Sequence, residues 1–264
     1  EEVEDDEESA SDDEYFLALC APLPEAVRNA YLQYGEDFQA GYLALNDGDF
    51  QTAAIHLALA MEQNPDPKSY IPLELASACL NLNRLDEAQQ LLEGFLPKHP
   101  EALPAYQLLC EIFWDQNDFH SAEALLASVP DEFSDSLAVS LLKGETLFRA
   151  GNYSQARDYY DQFLKTYGWN ETVSRELAKV YEALGESDKA RKTYKEILDR
   201  CRSCHAWIDP EIKHQYAELC LAAGMHGADV LELYLSLVQE VPDKMAHYFD
   251  RISRIYEAQG HAHE

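Results

Sequence analysis

Cys201, Cys204 and His205 are the residues of this chain whose types and spacing point most directly at chemistry. They read Cys-Arg-Ser-Cys-His, the pattern of covalent haem c attachment, in which two thiols bond the haem vinyl groups and the histidine binds iron. In that reading His214 or Met225 is the second axial ligand, and Trp207 and Ile208 begin an apolar pocket. A second reading is zinc: the two thiols have the spacing of half a site, with His205, His214 or Cys220 as partners. Against it, His214 and Cys220 are six apart on a predicted helix, and a second Cys-x-x-Cys pair is missing. A third is a local disulfide or redox pair. The plainest is two free thiols at a helix C-terminus and loop, with no cofactor. Cys20, Cys79, Cys110 and Cys220 fall on helix faces, where cysteine behaves as a small core residue.

No other constellation suggests catalysis. The sequence has no glycine-rich phosphate loop, no His-Glu-x-x-His and no nucleophile elbow. The nine histidines are scattered, and carboxylates are so abundant that pairs of them carry no information. Asn152-Tyr-Ser and Asn170-Glu-Thr fit the glycosylation sequon, but both sit at turns and read as structural. The expectation is a non-enzymatic protein.

The elements that must position these residues follow from one repeated unit. Its clearest copy is EDFQAGYLALNDGDFQTAAIHLALAMEQNP, residues 36–65, two amphipathic stretches around a turn. The register returns to the end of the chain with a period near 34, the mark of a helical solenoid. A small residue recurs in the first stretch at Gly41, Ala76, Cys110, Gly144, Ala178, Ala217 and Ser253. The turn carries Gly48, Asn83, Asn117, Gly151, Gly185, Gly224 and Gly260, residue types that tolerate a left-handed helix C-cap. Ala53, Ala88, Ala122, Ala156 and Ala190 open the second stretch, Val230 taking that place in the sixth copy. Pro65, Pro100 and Pro242 close copies. Between Arg175 and Leu198, Leu177, Val180, Tyr181 and Leu184 share one helical face, and Tyr194, Ile197 and Leu198 the next.

This unit resembles the tetratricopeptide repeat (TPR) over residues 36–264. The resemblance implies an all-α, right-handed superhelical solenoid of antiparallel helix pairs, about six repeats and a partial seventh. The segment 199–210, which holds the Cys-x-x-Cys-His motif, is an insertion between copies. The chain lacks an initiator Met and stops before the second helix of its last copy, so it is expected to be a piece of a longer protein.

The resemblance also places a partner-binding groove on the concave face, along the first helix of each pair. Its residues are Phe38, Tyr42, Leu45, Tyr70, Leu73, Leu80 and Trp114, then Phe148, Arg175 and Lys179, with Ser77, Gln107, His214, Glu218, Asp250 and Arg254 at equivalent positions. The groove runs from aromatic and apolar to charged and suits an amphipathic helix or extended peptide of another protein. The family's chaperone-tail clamp uses Lys and Asn where this chain has Phe38, Tyr42, Leu73 and Ser77, so carboxylate capture is not expected.

Composition narrows the partners. With 49 acidic and 20 basic residues the formal net charge is −29, which disfavours nucleic acid and anionic membrane surfaces. Residues 1–14 form an acidic run expected to be a disordered linker. Residues 15–35 carry Phe16, Leu17, Leu19, Val27, Ala30 and Leu32 and are expected to cap the first repeat or fill its groove. Two further functions stand beside the scaffold reading: a metal- or haem-bearing sensor or electron-transfer module at the insertion, and self-association through an apolar end at Ile252, Ile255 and Tyr256. Unpaired cysteines favour the reducing cytoplasm; haem attachment would require an oxidising compartment.

Overall fold

The repeated turn residues set the architecture. In the computed structural model, which describes residues 4–203 and 207–260, all seven have positive φ, including the non-glycine Asn83 at 58° and Asn117 at 57°. Six of these turns also share one hydrogen bond. The amide after the turn residue reaches back five positions: Asp49 to Ala44, Arg84 to Cys79, Asp118 to Phe113, Asn152 to Leu147, Glu186 to Tyr181 and Met225 to Cys220, at 2.8–2.9 Å. This C-cap motif ends one helix and reverses the chain into the next.

Two short helices follow α1 (Glu4–Cys20) and precede or complete the first pair: α2 (Glu25–Tyr31) and α3 (Glu36–Asp47), the latter pairing with α4 (Phe50–Gln63). The next pairs are α5 (Ile71–Asn81) with α6 (Leu85–Phe95), and α7 (Leu103–Asp115) with α8 (Phe119–Ala127). After the single turn α9 (Asp131–Ser134) come α10 (Leu137–Arg149) and α11 (Tyr153–Tyr167). Then follow α12 (Glu171–Ala183) with α13 (Ser187–Ser203), α14 (Pro210–Ala222) with α15 (Ala228–Glu240), and the lone α16 (Met245–Ala258). Among the described residues there is no strand, and no helix is long and apolar enough to cross a membrane.

The chain divides into two units, residues 1–142 and 143–264, each a stack of helix pairs. In the first, Ala53, Ala76, Ala88, Cys110 and Ala122 are wholly buried where helices of a pair meet. A Cβ on Gly41 would lie 2.8 Å from Leu57 Cγ, so α3 and α4 approach as closely as a missing side chain allows. In the second unit Ala156, Ala178, Ala190, Ala217 and Val230 play the same part. A Cβ on Gly144 would overlap the buried Tyr160 ring. Ser253 departs from the pattern and is exposed.

Two expectations are corrected. Residues 4–14, expected to be disordered, form the start of α1. Its following turns are held to α3, with Gln39 donating to Asp13 at 2.6 Å and Phe16 buried. Ile252 and Ile255, expected as an exposed apolar end, are buried in the second unit's core with Leu233, Tyr234 and Leu237. The exposed apolar side chains of α16 are instead Met245 and Phe249.

Candidate functional site

In the first unit the segment before the repeats covers two of the expected groove residues, Phe38 and Tyr42. Pro22 and Pro24 end α1 and turn the chain into α2, whose Tyr31 ring lands on Phe38 (4.8 Å between centroids) and Tyr42 (5.2 Å). Phe16 closes on Tyr42 from α1 at 6.0 Å. The seal is polar as well. Tyr31 Oη donates to Glu74 Oε1, the Tyr70 amide donates to Tyr34 Oη at 2.9 Å, and Asn64 donates to the Tyr34 carbonyl at 3.0 Å. Burial raises the Tyr31 pKa far above the ordinary phenol range, pushes Tyr42 up to about 12, and raises that of Glu74. The Tyr31 hydroxyl as donor, and the Tyr34 hydroxyl and carbonyl as acceptors, thus hold the segment down.

Beyond Tyr31 the concave face opens. Helices α2, α5 and α7 line a cavity of about 520 Å³. Its apolar walls are Leu23, Val27, Leu73, Pro104 and Leu108; Glu74 lies at its floor, and Ser77, Gln107 and Glu101 add polar groups. That volume falls in the range of about 300–1,000 Å³ typical of ligand sites. The positions fit helical spacing: Leu73 and Ser77 are one turn apart on α5, and Pro104, Gln107 and Leu108 share one face of α7.

In the second unit the concave positions are charged and already engaged. Arg175 Nη1 lies 3.2 Å from Asp209, and Lys179 Nζ 2.9 Å from Glu176. Phe148 packs on Tyr153 at 5.2 Å. His214 and Glu218 on α14 meet His247 on α16: each offers a ligand atom, all within 4.8 Å of one another. Of the insertion, Cys201 ends as a buried core residue beside Leu198 and Ile212, with Sγ 3.7 Å from Glu171. Trp207 is 77% exposed. Cys204 and His205 lie outside the described residues.

Comparison with known proteins decides the family. Models described as "Tetratricopeptide repeat" match residues 44–110 and 147–207, and a second such family matches 108–169, so the matches run unbroken from 44 to 207. The chain is a tetratricopeptide repeat protein. A TPR protein from Parabacteroides merdae superposes with a TM-score of 0.60 at 14% identity, over 83% of this chain and 80% of its own. Pseudomonas aeruginosa pilF gives 0.59 at 16%, over 86% and 99%, and a MamA protein 0.51 at 16%, over 68% and 98%. At these identities the likeness is one of fold. None of the curated proteins compared with the chain matches it. As a TPR protein the chain has the fold of a protein-interaction scaffold.

Within the TPR frame the expected groove residues divide. Tyr70 and Leu73 line the open cavity. Phe38 and Tyr42 are covered by Phe16 and Tyr31 and so cannot anchor a partner; Trp114 is buried in the core of the first unit, with Leu80 packed against it and Leu45 partly buried there. Sequence reasoning missed Glu74 and Leu108, and named Val27 only within the segment expected to cap the first repeat or fill its groove. Glu74 carried a readable signal, as the lone charged residue in the apolar run IPLELASACL. Val27 was legible as an apolar residue of the preceding segment, but only the fold of that segment brings it to the cavity beside α5.

Proposed function

We propose that the first unit binds a segment of a partner protein whose apolar side chains are flanked by Lys or Arg, seated between α2, α5 and α7. The observation that carries this reading is the open apolar cavity whose charged lining residues are Glu74 and Glu101. The surrounding charge supports it. Residues 1–142 hold 29 Asp and Glu against four basic residues, Arg28, Lys68, Arg84 and Lys98. A field of that sign draws cationic partners and repels acidic ones. The apolar walls supply affinity through anchoring side chains, and Glu101 at the rim supplies selection. The role is non-catalytic and needs no cofactor at Cys201, Cys204 and His205. Cys20, Cys79, Cys110 and Cys220, all buried free thiols, accord with a reducing compartment.

The test is fluorescence anisotropy with a designed 15-residue peptide carrying two leucine anchors and four lysines, against the same peptide with glutamates. The lysine peptide is expected to bind, more weakly as salt rises, and the glutamate peptide not to bind. Leu108→Asp is expected to weaken binding about 30-fold, the equivalent of about 2 kcal/mol for one lost anchor. Equal binding of the two peptides, or a Leu108→Asp protein that binds like wild type, would overturn the reading.

A further inference from the structure

Three side chains of the second unit have no part in the groove function above, and their types and placement suit a metal. His214 and Glu218 are four apart on α14 and so present their side chains on one face, one turn above the other. His247 reaches them from the first turn of α16, with Nε2 3.0 Å from Glu218 Oε1. The two imidazole rings stand 5.6 Å apart at 64° to one another. Two observations distinguish this cluster from a chance meeting of polar groups. His214 Nδ1 is buried with no hydrogen-bond partner, a state that is costly unless something else takes its lone pair or proton. Glu218 is held from outside the cluster: Tyr234 Oη donates to Oε1 at 2.9 Å, as does Arg251 Nε at 2.9 Å. Outer hydrogen bonds of this kind orient a ligating carboxylate.

We propose that His214, Glu218 and His247 form a binding site for a divalent transition metal of the zinc class. Two imidazoles and one carboxylate are a borderline-soft donor set that zinc accepts. Zinc–ligand distances near 2.0–2.1 Å put tetrahedral ligands about 3.4 Å apart. The present spread, with no pair beyond 4.8 Å, exceeds that separation by little enough for side-chain rotation to close it. Among the neighbouring charges, Arg251 opposes a cation, but it also pairs with Asp250 at 3.2 Å, and Lys244 is drawn off by Glu211 at 3.6 Å. Water completes the fourth position.

The whole chain is to be dialysed against zinc and assayed by elemental analysis and calorimetry, then loaded with cobalt for its visible spectrum. One equivalent of zinc is expected, with a cobalt spectrum lacking thiolate charge-transfer bands. His247→Ala sits on an exposed residue, so its fold is checked simply by circular dichroism. It is expected to weaken zinc binding by at least about 100-fold, beyond the usual loss of an outer-shell partner. Glu218→Gln is expected to do the same. Cys201→Ser is expected to leave binding intact. No stoichiometric zinc, or zinc lost in Cys201→Ser and retained in His247→Ala, overturns the site. Peptide binding by the first unit is read separately and does not depend on this result.

Discussion

Replacing glycine by alanine at two helix positions of the first unit is expected to move stability in opposite directions. Gly41 lies inside α3, and an added Cβ would sit 2.8 Å from Leu57 Cγ, 3.0 Å from the Leu57 backbone nitrogen and 3.2 Å from His56 Cβ. Ordinary contact begins near 3.4 Å, so α4 must retreat by about half an ångström, and its backbone atom cannot rotate away. The retreat is resisted, because Ala53, Ala54, Leu57 and Ala60 of α4 are all buried. Overpacking of this kind costs about 1–3 kcal/mol. Alanine returns about 1 kcal/mol of helix propensity. The expected net loss for Gly41→Ala is about 1 kcal/mol. Gly94, near the end of α6, is exposed and has nothing within 4 Å of the new atom. Gly94→Ala is therefore expected to stabilise by about 0.5 kcal/mol or more. Because two units need not unfold together, the readout is urea unfolding followed by hydrogen exchange of peptides from residues 36–95. Leu57→Ala should cost less in the Gly41→Ala background than alone, since it removes the atom struck. A Gly41→Ala protein as stable as Gly94→Ala would refute the close approach of α3 and α4.

Glu74 is expected to make the first unit less stable as pH rises. Burial lifts its folded pKa above the ordinary value near 4.5, so the native state holds the proton longer than the unfolded one. Stability then falls from about pH 4.5 up to the raised folded value, and stays lower above it. Each tenfold difference in proton affinity is worth about 1.4 kcal/mol. Glu74→Gln keeps an oxygen for Tyr31 and cannot ionise. It should be the more stable protein at pH 7 and lose that advantage below pH 4, as thermal melts across pH will register. In the second unit, Asn170 Oδ1 accepts the Val173 amide at 3.1 Å and caps α12, whereas Asn152 makes no such bond ahead of α11. Asn170→Ala should cost about 1 kcal/mol, a fall of about 2–4 °C in melting temperature, and Asn152→Ala much less. Equal effects would contradict the cap.

The repeat was legible because each of its signals has one local physical cause. Asn83 and Asn117 could be read as turn residues beside the glycines, since few other side chains accept positive φ. Ala53, Ala88, Ala122, Ala156 and Ala190 marked close helix contacts, and all are wholly buried. The groove was less legible, because a concave-face position tells which way a side chain points and not what covers it. Phe38 and Tyr42 point as the repeat requires, yet α1 and α2 reach them first. The aromatic content of residues 15–35 was the available signal: Tyr31 and Phe16 are large rings that must pack somewhere, and the nearest uncovered rings were Phe38 and Tyr42. The cluster of His214, Glu218 and His247 was half legible. The four-residue spacing on one helix was in the sequence, but His247 joins only through the stacking of α16 on its neighbours.

A repeat of this kind constrains its small, apolar and turn positions and leaves the solvent-facing ones free, so those record what each unit must do. In the second unit the freedom is used to satisfy charge locally. Arg191 pairs with Asp188, Lys195 with Asp199, and Arg200 with Glu196, each within one helical turn. In the first unit four cations cannot neutralise 29 carboxylates, whatever the rotamers. The unit must draw its counter-charge from solution, and self-repulsion weakens it at low salt. A cationic segment in the proposed groove would supply that charge directly and gain more electrostatic free energy than on the second unit, where 16 cations face 20 carboxylates. Salt acts on both terms with opposite sign: it screens the self-repulsion and so stabilises the free unit, while weakening its hold on the partner. That opposition separates recognition by charge from a purely apolar groove, for which added salt would not loosen the complex.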